Sequence, residues 1–258
     1  MRDDLGIFPL TCEAYEQTRV KTIMGTWGSV IPSNLIFLGD RRVSDSETGR
    51  VLQLDCLNPL ETHPKLTDNR YEDAPHKLFN AFRHLQNEKW EWLFFCDDDT
   101  YVKTSLLEDY VDSVERKYGK NHIGVWGHDL VGNYGEDRSL HYPSGGAGYL
   151  TNKATLQRLV PFLEGAPPTL PNNYGDVMLG YCMRDAVIPV IDDGVFFDLD
   201  YHNEWLEWQW SQGDASIVKK PSITYHYMDP EKTIHFYNNV AQKIPPVYKM
   251  SYWKRGRM

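Results

Sequence analysis

The chain has 258 residues, 41% hydrophobic and 13% aromatic, enough for a well-buried core in one large α/β domain or two small ones, which excludes a flexible, disordered scaffold. A formal net charge of −9 argues against general affinity for nucleic acid, since neutralising phosphate needs a basic face. Four cysteines, Cys12, Cys56, Cys96 and Cys182, are too scattered for a zinc pattern and too few for a disulfide scaffold, although Cys12 and Cys56 could pair.

The first half alternates short apolar runs with amphipathic stretches, the pattern of βα units building a mainly parallel sheet. Strands are expected at "LGIFPLT" near the start, "NLIFLGD" (34–40), "VLQLDC" (51–56) and "WLFFCD" (92–97). Before the last of these, "APHKLFNAFRHLQNEK" repeats Leu78, Phe82 and Leu85 at helical spacing. After it, "SLLEDYVDSVERKY" predicts a helix with Leu107, Tyr110, Val111 and Val114 turned inward. The second half is less regular. It suggests strands at "IGVWGHD", within "SGGAGYLT" and at "AVIPVIDD". Helices are expected at "NKATLQRLVPFL", capped by Thr151 or Asn152, and at "GDVMLGYCMRD". One domain fits this order best. No apolar run approaches 18 residues and the N-terminus lacks signal-peptide organisation, so the chain as given reads as soluble, and the lack of an N-x-Ser/Thr sequon argues against a glycosylated secretory history.

The densest chemistry is "FFCDDDTYV" (94–102), three carboxylates at the carboxyl end of an all-apolar strand. Such a strand is covered on both faces, and ligands of open α/β sheets bind beyond strand carboxyl ends. If the backbone stays extended, Asp97 and Asp99 point the same way and Asp98 the other. Three unneutralised acids would repel, and a divalent cation removes the conflict. Mn²⁺ or Mg²⁺, held by one or two carboxylates, normally completes its shell with substrate phosphates, so a diphosphate ligand is implied. Asp-rich loops also cap helices, and Asp99 or Thr100 is positioned to do so.

Together with "TRVKTIMGTWG", "PHKLFNAF", "YPSGGAGYLTNKATLQRL", "YGDVMLGYC" and "SITYHYMDPEKTIHFYNNV", this stretch resembles the Fringe and core 1 β1,3-galactosyltransferase family of inverting GT-A enzymes. The resemblance spans most of the chain. It implies a GT-A, Rossmann-like α/β fold with a mainly parallel central sheet flanked by helices and a smaller acceptor-side subregion. Residues 1–258 then form one catalytic domain, a nucleotide-binding half (1–103) followed by an acceptor-side half (104–258).

By the same resemblance Asp97, Asp99 and His226 hold the metal, and Asp176 is the general base. Arg19, Thr26, Lys77, Asp98, Gly145, Gly146 and Ala147 belong to donor binding. The run at 145–147, without bulky side chains, lets backbone approach a sugar with its N–H groups available. Gly175 departs from the family pattern, in which a first acid precedes the one at 176. The implied activity is Mn²⁺- or Mg²⁺-dependent transfer of a sugar, galactose favoured, from a UDP-sugar to a hydroxyl of a glycan or glycoprotein, forming a β1,3 linkage. N-acetylglucosaminyl or glucosyl transfer, or a non-catalytic nucleotide- or glycan-binding domain, are the alternatives. Homodimerisation is possible. The expected location is the Golgi lumen for a trimmed catalytic domain and the cytoplasm for a full-length chain. Trp205, Trp208 and Trp210, and the basic tail with Lys249, Lys254, Arg255 and Arg257, carry no motif of their own.

Overall fold

A computed structural model describes residues 1–40, 51–54, 74–134, 137–163, 175–196 and 222–239. Its strands, in chain order, are β1 (Leu5–Leu10), β2 (Phe37–Asp40), β3 (Val51–Leu54), β4 (Trp92–Asp97), β5 (Tyr101–Val102), β6 (Val125–Gly127), β7 (Asp129–Tyr134), β8 (Asp137–Pro143), β9 (Tyr149–Asn152), β10 (Val190–Ile191) and β11 (Thr224–Tyr225). The helices are α1 (Glu13–Tyr15), α2 (Lys21–Gly25), α3 (Ala74–Leu85), α4 (Thr104–Tyr118), α5 (Lys153–Leu159), α6 (Gly175–Asp185) and α7 (Pro230–Asn239), with a π-helical stretch (Glu16–Val20) joining α1 to α2.

Among the described residues, seven strands form one sheet in the order β10-β6-β9-β4-β1-β2-β3. All pairings are parallel except those of β9, which runs antiparallel to both β4 and β6. β4 lies inside the sheet, and the absence of any polar side chain from Trp92 to Cys96 follows from cover on both faces. On one face Phe94, Cys96 and Trp126 pack with Val20, Ile23 and Trp27, with Leu107, Tyr110 and Val111 of α4, and with Phe236 of α7. On the other, Leu93, Phe95 and Tyr149 pack with Leu78 and Phe82 of α3, Leu156 of α5, and Met178 and Cys182 of α6. The result is a helix–sheet–helix sandwich, as the sequence pattern implied.

Several boundaries differ from expectation for physical reasons. The strand expected over "AVIPVIDD" shrinks to β10. The Ala186 N–H still bonds to Cys182 as part of the end of α6, Val187 sits at φ +54°, and the Asp192 carboxylate accepts from the Asp129 and Gly194 N–H groups. In "TRVKTIMGTWG", where the resemblance implies a helix running to Gly28, the helix ends at Gly25 and a 3₁₀ turn (Trp27–Val30) follows. Gly28 serves close packing there: a Cβ would lie 2.8 Å from both the Ile23 carbonyl oxygen and the Leu35 side chain. Asn152, of the two N-cap candidates, caps α5 by accepting from the Thr155 N–H. The β7–β8 hairpin, with a register irregularity between Gly132 and Tyr134, packs on α6 and was not foreseen.

Cys12, Cys96 and Cys182 are buried. The pairing weighed for Cys12 and Cys56 falls on a partner outside the described residues, as do Trp205, Trp208, Trp210 and the basic tail. Among the described residues no helix is long and apolar enough to cross a membrane.

Candidate active site

The ladder of β1 with β4 ends at the pair Leu10↔Asp97, and the acids sit where these parallel strands stop. The backbone does not continue extended. It turns, with the Thr100 N–H donating to the Asp97 carbonyl at 3.2 Å. The turn still separates the acids as expected, but by folding rather than by pleat. Asp98 is directed into the protein, only 5% exposed, and its two oxygens accept from Arg19 Nη1 and Thr11 Oγ1, each at 2.7 Å. Asp97 and Asp99 meet His226: one potential ligand atom from each lies within 4.8 Å of the others. His226 Nε2 is 3.5 Å from Asp99 Oδ1, and Arg19 Nη1 is 3.3 Å from Asp99 Oδ2.

His226 is brought to the acids by long-range pairing. β11 adds antiparallel to β5, with Thr224 opposite Val102 and Tyr225 opposite Tyr101. On the far side of His226, the Met228 N–H donates to the Asp99 carbonyl at 2.8 Å. The imidazole rests on Gly146, where the three atoms nearest to an added Cβ would all belong to the ring. The glycine loop is therefore a structural seat for the histidine. Thr100 Oγ1 donates to the Gly146 carbonyl at 2.8 Å, and Thr224 Oγ1 to the Ala147 carbonyl at 2.6 Å. Gly148, at φ +76°, turns the loop back into β9 against Phe94.

Asp176 lies in the first turn of α6 and closes the other side. It accepts from its neighbour Val177 N–H (2.8 Å) and from Gly145 N–H (3.3 Å), so helix and loop fix its carboxylate together. Glycine at 175 is not demanded by packing, since a Cβ there would meet the Ala74 and Pro75 backbone only at ordinary contact distance.

The electrostatics divide the acids. Burial, and then the charge of Asp99, push Asp97 up to about 7, against the opposing pull of His226. Burial also raises Asp98 despite its bonds to Arg19 and Thr11. Partial burial pushes Asp99 up as well, but His226 and Arg19 hold it below its ordinary value. This is a site short of positive charge. Two carboxylates and an imidazole are a donor set that suits a divalent cation such as Mn²⁺.

The structure thus brings together Asp97, Asp99, His226, Asp176, Gly145, Gly146 and Ala147, with Asp98 and Arg19 directly behind. Lys77 stands further back, buried, with Nζ donating to the Thr11 carbonyl at 2.9 Å. Thr26 is not brought in: it is buried and its hydroxyl donates to the Thr22 carbonyl at 2.6 Å. Of the three main-chain N–H groups expected to be available at 145–147, two are used inside the protein: Gly145 donates to Asp176 and Ala147 to Ser144 Oγ. Sequence reasoning missed Thr11, Thr224 and Tyr227, and it weighed Asp99 or Thr100 as a helix cap, whereas Lys103 stands at the N-cap of α4 without a side-chain bond and Thr100 is spent on the Gly146 carbonyl. Thr11 had one available signal, its place just past the carboxyl end of β1. Tyr227 is 55% exposed at φ +54°, with its ring stacked on His226 at 3.7 Å between centroids.

A mainly parallel sheet with helices on both faces, and an Asp-x-Asp turn at the carboxyl end of a central strand, define a GT-A class domain. The Fringe-like family model matches residues 2–256, and this chain belongs to that family. It is 23% identical over 187 residues to chondroitin sulfate synthase 3 of Mus musculus, covering 70% of this chain and 21% of that protein. The β-1,3-glucosyltransferase of Homo sapiens is 23% identical over 224 residues, 81% of this chain and 39% of the relative. Glycoprotein-N-acetylgalactosamine 3-β-galactosyltransferase 1 of Xenopus laevis is 24% identical over 197 residues, 64% of this chain and 49% of the relative. The chain therefore spans between a fifth and a half of the length of these relatives.

Proposed function

We propose that this chain is a metal-dependent inverting glycosyltransferase domain that transfers a sugar from a UDP-sugar to a hydroxyl of a glycan or glycoprotein, forming a β1,3 linkage. The observation that carries the reading is the convergence of Asp97, Asp99 and His226 at the sheet's carboxyl end, with Asp176 held opposite by Gly145. Asp97, Asp99 and His226 would hold Mn²⁺ or Mg²⁺. When bound, the cation supplies positive charge for the diphosphate leaving group.

The chain's own residues do the rest. Arg19 neutralises Asp98 and steadies Asp99, so that Asp97 and Asp99 remain directed to one point. Asp176, its carboxylate oriented by two N–H donors, accepts the proton of the attacking hydroxyl. The exposed Tyr227 ring offers an apolar face to a sugar beside the cation site. Galactose is favoured as donor because the Lys77 helix and "SITYHY" resemble galactosyltransferase members, with the glucosyltransferase among the relatives as the leading alternative.

The test is a UDP-sugar panel with Mn²⁺ and simple glycoside acceptors, run beside Asp99→Ala and Asp176→Ala. The reading expects wild-type transfer, lost metal dependence and UDP binding in the first variant, and retained UDP binding without turnover in the second. Full turnover by Asp176→Ala refutes the base, and a wild type that binds UDP without transfer to any acceptor is a binding domain instead.

A further inference from the structure

Tyr149 opens β9, and its hydroxyl is buried without a hydrogen-bond partner. The side chain is only 2% exposed and the ring has little freedom: it stacks on Phe95 at 5.6 Å and 27°. An unpaired phenol in a packed interior calls for a physical reason.

The sheet register supplies one. Phe95 is the β4 partner of Tyr149, and Asp97 lies two residues further along β4, on the same face. A diagonal neighbour across an antiparallel pair lies roughly 7–8 Å away, within reach of an aromatic side chain. The electrostatics agree with that placement, since Asp176 and then Asp97 act on the buried phenol. Asp98 has Arg19 and Thr11 as donors, and Asp99 has Arg19 and His226 beside it. The Asp97 side chain, by contrast, accepts no hydrogen bond among the described residues. Among the described residues, a donor without an acceptor and a carboxylate without a donor thus occupy diagonal positions on one face of the β4–β9 pair.

We infer that Tyr149 is a positioning residue for Asp97, donating its O–H to the carboxylate when Asp97 is engaged with the cation and fixing which oxygen faces the ion. The inference rests on the reading of Asp97 as a metal ligand. It does not require Tyr149 to touch substrate.

The experiment measures Mn²⁺ affinity by calorimetry at saturating UDP for wild type, Tyr149→Phe, Asp97→Asn and Thr151→Val, with the thermal midpoint of each metal-free protein. Thr151 is the internal control: it too carries a buried hydroxyl without a partner, two residues along β9, but it pairs with Leu93, away from the acids. The expected result is about 10-fold weaker Mn²⁺ binding for Tyr149→Phe, at the lower end of what loss of such an outer partner costs. Asp97→Asn should lose at least as much, and Thr151→Val should match wild type. The metal-free midpoint of Tyr149→Phe should stay at or above wild type, because an unpaired polar group has been removed. Unchanged affinity in Tyr149→Phe beside weakened Asp97→Asn overturns the inference and spares the metal assignment. Equal losses in Tyr149→Phe and Thr151→Val overturn it in favour of general packing. Unchanged affinity in Asp97→Asn refutes the metal assignment itself, and the inference with it.

Discussion

Replacing Gly146 with alanine tests whether the glycine loop seats the metal-site histidine. An added Cβ would fall inside contact distance of the His226 imidazole, whereas carbon contacts settle near 3.5–4.0 Å, so the ring would have to retreat by more than about 1 Å. The neighbouring backbone cannot easily yield. Thr100 holds the Gly146 carbonyl, Thr224 holds that of Ala147, and Met228 is tied to Asp99. The ring must instead rotate away from Asp99, breaking the convergence with Asp97. Overpacking of this kind costs roughly 1–3 kcal/mol. A displaced ligand should weaken Mn²⁺ binding by about 10–100-fold, the range reported for disturbed ligand orientation. Gly145→Ala is the matched control, since its Cβ would meet Asp176 only at 3.7 Å or more. Calorimetric titration with Mn²⁺ at saturating UDP, alongside urea denaturation, reads both effects. Equal affinity and stability in Gly146→Ala and Gly145→Ala would refute the reasoning.

Asp97, with its folded-state value pushed up to about 7, binds a proton in the native state that it releases in the unfolded state between about pH 4 and 7. Its contribution to stability in metal-free protein therefore falls as pH rises through that window. Asp97→Asn should match wild type near pH 4 and exceed it in thermal midpoint at pH 8. A constant difference across the range would contradict this. Arg19→Met should destabilise by about 2 kcal/mol or more, less than the roughly 3–5 typical of a broken buried pair because Arg19 is partly exposed and Thr11 remains. Adding Asp98→Asn should recover part of that loss in urea denaturation, and no recovery would argue against the pair as its cause. Asn152→Ala should cost roughly 0.5–2 kcal/mol through loss of the α5 cap, measured the same way.

Much of the nucleotide-side half was legible because its cues are local. The apolar run before Asp97, the 3.6-residue repeat at Leu78, Phe82 and Leu85, and the inward stripe of α4 all appear where expected. The β7–β8 hairpin escaped because its residues alternate weakly and Gly132 interrupts them, so only contact with α6 gives it a face to bury. Thr26 and Lys77 were grouped with donor binding by resemblance. A motif reports neighbours along the chain and says nothing of which hydroxyl is consumed by its own helix, as Thr26 is, or which ammonium is drawn beneath a strand end, as Lys77 is.

The sequence by itself determined that three acids end a doubly covered strand, and that small residues and a histidine recur downstream at family-like positions. Covalent order, apolar periodicity and the scarcity of partners for clustered charge are enough for that. The division of the acids was expected from pleat and resemblance, and only the tertiary structure decided by what turn and with which partners it is made. Asp98 goes to Arg19 and Thr11, while Asp97 and Asp99 go to His226, which arrives from 127 residues beyond Asp99 through the β5–β11 pairing. Such assignments depend on through-space distances of a few ångströms between segments far apart in the chain, and those distances exist only once the sheet, the glycine seat and α6 have packed together.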